Sequence, residues 1–101
     1  MLEISKSALV KINEVIDTPE NSDKNLRIYF QGISWGGPSL GMALDQKKEE
    51  DDILKISGLD IIIDAQTKDI LRNYGGASLD YIKRKFFGSG FSLRLKDASE
   101  C

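Results

Sequence analysis

Apolar residues recur at helical spacing near the start of the chain. On a helix of 3.6 residues per turn they would form one stripe, and they are Ala8, Leu9, Ile12, Val15 and Ile16. Ser5 is suited to cap the first turn, and Pro19 cannot continue a helix. The pattern therefore predicts an amphipathic helix over residues 5–17.

After Lys24 the apolar pattern changes to a period of two, which is typical of strands with one buried face. Two alternating runs follow, separated by a glycine-rich connection over residues 32–39. Their apolar positions are Leu26, Ile28 and Phe30 in the first run and Leu40, Met42 and Leu44 in the second. Residues 47–52 carry six charges of cancelling sign, which predicts an exposed turn.

Two short apolar runs, residues 53–56 and 59–63, predict a β-hairpin. Ser57-Gly58 lies between them and is suited to a two-residue turn. Asp64 can then cap a short second helix, which Gly75-Gly76 would terminate.

Alternating apolar residues over 79–81 and 91–95, with a glycine turn at 88–90 between them, predict two final strands. Short turns join most of the predicted strands, which favours a mainly β sandwich or barrel of antiparallel strands over a parallel α/β sheet. We expect one domain over residues 1–95 and a flexible tail over 96–101. The residues expected to be largely buried are Leu9, Ile12, Ile16, Ile28, Phe30, Met42, Leu44, Ile61, Ile63 and Phe91.

The charge balance argues against nucleic acid as a partner. The 101 residues include 14 basic and 16 acidic side chains, mixed along the chain, whereas a nucleic-acid surface needs a surplus of Lys and Arg. No segment approaches the roughly 18 consecutive apolar residues of a membrane span, and the first residues lack the features of a signal peptide. A single cysteine gives no disulfide framework, so we expect a cytoplasmic protein without a membrane partner.

The absence of histidine weakens every enzyme hypothesis, because the commonest general base and metal ligand are missing. The carboxylates show neither a calcium-loop spacing nor a ready pair, and we interpret them as surface groups and helix caps. The glycine-rich connection precedes a strand, whereas a phosphate-binding loop opens onto a helix. We therefore expect a plain turn over residues 35–39, with at least one glycine at positive φ, and no catalytic activity.

Cys101 is the only thiol in the chain. One interpretation is an unreactive exposed thiol, because the neighbouring Glu100 disfavours the thiolate. The other is a metal ligand, because thiolates bind iron and zinc well. As a nucleophile it would lack a histidine base.

Three further stretches carry a family resemblance. They are Gly41–Asp45 after the glycine-rich turn, Leu79–Lys83, and Gly90–Leu93, and the run Ile61–Asp64 falls in the same order. Together they resemble the HesB/IscA family of A-type iron–sulfur cluster carriers over about residues 4–95. The resemblance implies a HesB-like pseudo-barrel or sandwich of short mixed or antiparallel strands, with an N-terminal amphipathic helix and a short second helix.

The resemblance also implies a function: moving iron or an iron–sulfur cluster between assembly proteins and target apoproteins, with association between subunits. It implies three cysteine ligands, one in the glycine-rich loop and two in a Cys-x-Cys pattern near the C-terminus. Here the loop position holds Gly36 or Ser39, depending on the alignment, and Cys101 matches the first cysteine of the pair. The second would follow beyond Cys101, so the ending suggests either a recoded selenocysteine codon or a trimmed chain.

Two hypotheses of different classes follow. In the first, the protein is an iron–sulfur carrier or accessory factor that binds a cluster or iron through Cys101 in an oligomer. In the second, it is a metal-free interaction or regulatory module of the same fold. We expect this chain to bind an iron–sulfur cluster poorly or not at all, because Cys101 is the only thiol, there is no histidine to substitute for it, and carboxylates are poor ligands for soft iron–sulfide centres. Any residual iron binding should depend on Cys101 and on association between subunits.

Overall fold

The computed structural model describes residues 1–34, 37–84 and 88–96. Its elements follow in the order β1 (Leu2–Ile4), α1 (Lys6–Ile16), a 3-10 turn (Pro19–Asn21), β2 (Asn25–Ser34), β3 (Gly37–Asp45), β4 (Asp52–Ile56), β5 (Leu59–Ile63), α2 (Ala65–Asn73), β6 (Ala77–Arg84) and β7 (Gly88–Leu95). The predicted mainly β architecture with two helices is confirmed.

The strands form two mixed sheets, with the orders β3-β2-β5-β4 and β1-β6-β7. β1 pairs with β6 and β2 with β5 in parallel, whereas the other neighbours are antiparallel. Two parallel neighbouring strands must be joined by a long crossover connection. Here each connection contains other helices or strands of the fold. The prediction of antiparallel strands was based on short turns, which join only strands that are consecutive in the chain. Short turns therefore could not indicate the two parallel pairs, β1 with β6 and β2 with β5.

Each helix begins at the residue expected to cap it. Ser5 Oγ accepts a hydrogen bond from the Ala8 N–H at 3.2 Å, and Asp64 Oδ1 accepts one from the Thr67 N–H at 2.8 Å. Neither helix in the described part of the chain is long and apolar enough to cross a membrane.

Two predicted glycine turns are confirmed by positive φ angles. Ser57 and Gly58 have φ of 53° and 81°, as a two-residue turn between antiparallel strands requires. Helix α2 ends in a Schellman motif, in which the Gly76 N–H donates to the Leu71 carbonyl at 2.7 Å. At Gly76 the chain also passes close to the N-terminus, because the Ala77 N–H donates to the Met1 carbonyl at 3.0 Å.

Both sheets and both helices contribute to one hydrophobic core. Of the residues predicted to be buried, four are buried: Ile12, Ile28, Ile61 and Ile63. Five are partly buried: Leu9, Ile16, Phe30, Met42 and Leu44. The prediction is wrong for Phe91, which is 37% exposed. It lies on the edge strand β7, where its ring meets that of Tyr81 edge-on with 5.0 Å between centroids.

The charged segment between β3 and β4 was predicted to be exposed, and this is wrong at Asp51. Its side chain is only 2% exposed, and both of its oxygens accept hydrogen bonds from the Arg27 guanidinium. Arg27 also donates from Nε to Asp45 Oδ2 at 2.8 Å, and the Lys48 N–H donates to Asp51 at 2.9 Å. The local sequence could not reveal this burial, because the arginine lies on β2, far from Asp51 in the chain.

Two strand boundaries also differ from the prediction. β1 has three residues, too few for an alternating pattern to mark. Residues 88–90, predicted to form a turn, belong to β7 and pair with residues 82–84 of β6. The connection between these strands therefore falls at residues 85–87, outside the described residues.

Replacing Asp51 with asparagine should lower the free energy of unfolding by about 3 kcal/mol, because a largely buried arginine loses the carboxylate that neutralises it. Urea unfolding at pH 7, followed by circular dichroism, measures this loss. Asp52→Asn is the matched control. Asp52 is 55% exposed and pairs with Lys68, so its loss should be below about 1 kcal/mol. Equal losses for the two variants would contradict a structural role for the Asp51 pair.

The same pair predicts a pH dependence. Hydrogen bonds from Arg27 lower the pKa of Asp51 to about 2. Since this folded-state pKa lies below the unfolded value of about 3.9, the pair's contribution is complete above that value and is lost as the pH falls through the folded-state pKa. The difference in unfolding free energy between the parent protein and Asp51→Asn should therefore stay constant from about pH 7 to 5 and shrink at lower pH. A difference that persists in full under strongly acidic conditions would show that the carboxylate charge is not its source.

Gly76→Ala should destabilise the protein more than Gly58→Ala, although both glycines have positive φ. A Cβ at Gly76 would lie 2.6 Å from the Met1 carbonyl oxygen, whereas one at Gly58 would meet nothing within 4 Å. We expect about 1 kcal/mol at Gly58 from backbone strain, and at least about 2 kcal/mol at Gly76, where β1 must also move. Thermal unfolding midpoints of the two variants measure the difference. Equal midpoints would contradict the close approach of the N-terminus.

Candidate functional site

The glycine-rich connection is the tip of the hairpin between β2 and β3. Ser34 pairs with Gly37, and Gly37 has φ of 96°, which confirms the prediction of a glycine at positive φ. Pro38 and Ser39 already belong to β3, so the turn is shorter than predicted. Trp35 and Gly36 lie outside the described residues. Neither Gly36 nor Ser39, the two positions that align with the family's loop ligand, offers a thiolate.

Cys101, the predicted metal ligand, lies outside the described residues. Within residues 1–34, 37–84 and 88–96, no three histidine, cysteine or acidic side chains lie close enough together to hold a metal ion. The last described residue, Lys96, donates its N–H to the Gly76 carbonyl at 2.9 Å, and its Nζ contacts Glu3 Oε1. These contacts hold Lys96 beside β1 and the start of β6.

A groove lies between the strand that follows the glycine-rich turn and the strand that leads toward Cys101. Its volume is about 580 Å³, and it is lined by Tyr29, Gln31, Leu40, Gly41, Met42, Phe91, Ser92 and Leu93. The ring of Tyr29 lies across Gly41, where an added Cβ would come within 2.5 Å of Tyr29 Cζ. The groove therefore lies beside β3 just after the glycine-rich turn, and its lining carries no charged side chain.

An apolar pocket of about 230 Å³ adjoins this groove at Met42 and Phe91. The pocket is lined by Ile12, Val15, Ile16, Leu26, Met42, Ala43, Leu44 and Phe91. The alternating apolar pattern along β7 predicted that Phe91 is buried in the core. A residue that lines a surface pocket shows the same alternation as a core residue, so the sequence could not distinguish the two positions.

Asp80, in one of the stretches that resemble the family, holds the start of helix α1. Its Oδ1 accepts hydrogen bonds from Ser5 Oγ at 2.6 Å, from Ser7 Oγ at 3.2 Å and from the Tyr81 N–H at 2.8 Å. These bonds, with that from Ser5 as the main cause, lower the pKa of Asp80. A negative charge near a helix N-terminus also interacts favourably with the helix dipole. Asp80 therefore has a structural role in orienting α1 over the sheet.

The chain is similar over almost its whole length to curated iron–sulfur proteins. The iron–sulfur cluster insertion protein ErpA of Marinobacter nauticus is 30% identical over 99 residues, which are 97% of this chain and 86% of that protein. ErpA of Xanthomonas oryzae pv. oryzae is 31% identical over 98 residues, which are 96% of this chain and 73% of that protein. No family model matches the chain.

Solved structures share the fold. The crystal structure of IscA with the 2Fe–2S cluster covers 94% of this chain and 82% of its own, with a TM-score of 0.67 and 25% identity. The crystal structure of Escherichia coli SufA, involved in biosynthesis of iron–sulfur clusters, covers 93% of this chain and 79% of its own. Its TM-score is 0.68 at 14% identity, so this second likeness shows the fold alone.

Two mixed sheets, a capped N-terminal helix and a glycine-rich hairpin define the class of small mainly β proteins that includes IscA and SufA. Identity of 30% across 97% of the chain then establishes the family. The chain belongs to the HesB/IscA family, as the sequence resemblance predicted. It departs from the pattern expected for that family at the loop ligand position.

Proposed function

We propose that this protein carries iron–sulfur clusters, with Cys101 as the thiolate that each subunit contributes. The observation that supports this most is 30% identity across 97% of the chain to an iron–sulfur cluster insertion protein. The chain also keeps one thiol, at a position that aligns with a family ligand. The cluster is treated as cargo, which the protein passes to a target apoprotein.

The number of thiolate ligands in one chain requires that more than one chain hold the cluster. An iron–sulfur cluster is normally held by four thiolates, and this chain has one cysteine and no histidine. A pair of chains supplies two thiolates and a tetramer supplies four, unless another molecule donates the rest. One chain alone therefore does not fit a cluster, whereas an assembly of chains through Cys101 does.

The described acidic groups do not make up the deficit. Asp51 is committed to Arg27, Asp64 caps α2, and Asp80 binds Ser5. Carboxylates are also hard ligands, poorly matched to iron in a sulfide cluster. The proposed binding therefore depends on the thiol of Cys101.

The remaining features of the proposal follow from this cargo. The partners are iron–sulfur assembly proteins, target apoproteins and further copies of this chain. The location is the cytoplasm, where a reducing environment keeps the thiol of Cys101 free. The protein is a carrier and not an enzyme. A metal-free interaction module of the same fold is less well supported, because the curated relatives are iron–sulfur insertion proteins.

Anaerobic reconstitution with iron and sulfide, followed by desalting and metal analysis, tests the assignment of Cys101. The parent protein should retain iron and sulfide, and Cys101→Ser should lose at least about nine-tenths of them, because it removes the only thiolate. Retention should be confined to fractions that elute as dimers or larger species in size-exclusion chromatography.

Ser39→Cys is the complementary variant, since it places a thiol at one of the positions aligned with the loop ligand. It should increase the retained iron, whereas Ser78→Cys, on the exposed side of β6, should not. A stable cluster in Cys101→Ser, or in a monomer of the parent protein, would overturn the ligand assignment. No retention in any of these proteins would favour the metal-free alternative.

A further inference from the structure

We draw no further inference here: the strongest candidate, the apolar pocket between helix α1 and strand β3 that adjoins the groove at Met42 and Phe91, is an unpartnered apolar face, and nothing in the described part of the structure shows what covers it.

Discussion

The charge of Arg27 is the constraint on which the larger sheet depends. The residue lies on β2, which pairs with both β3 and β5, and its side chain is 12% exposed. A cation so placed must be paired with anions, because water cannot solvate it fully. Asp45 and Asp51 supply them, and Asp51 directly precedes β4. The ion pair thus fixes the segment that joins the two edge strands of this sheet.

Local patterns predicted most elements of the fold. Periodicity located α1 and the strand pairs, while Ser5, Asp64 and Ser57-Gly58 marked caps and a turn that the structure shows. What failed depends on distant partners. The burial of Asp51 requires Arg27, and the parallel pairing of β2 with β5 depends on the whole sheet.

The candidate site was predictable only in part. The sequence shows that Cys101 is the only cysteine and that the loop cysteine is missing, so it predicts that one chain has too few thiolates for a cluster. The groove could not be predicted from the sequence, because the alternating apolar residues of β3 and β7 have the pattern of core residues. The sheet orders show that both strands lie at sheet edges, and residues of both line the groove. The exposed ring of Phe91 follows from the same cause.

The central claim is that a cluster is held between chains, since one chain has a single thiol. Native mass spectrometry of the anaerobically reconstituted protein measures this directly, because it gives the mass of each assembly with its iron and sulfide. Cluster mass should appear only on dimers or larger assemblies, and Cys101→Ser should show none on any species. A cluster on a single chain would contradict the account.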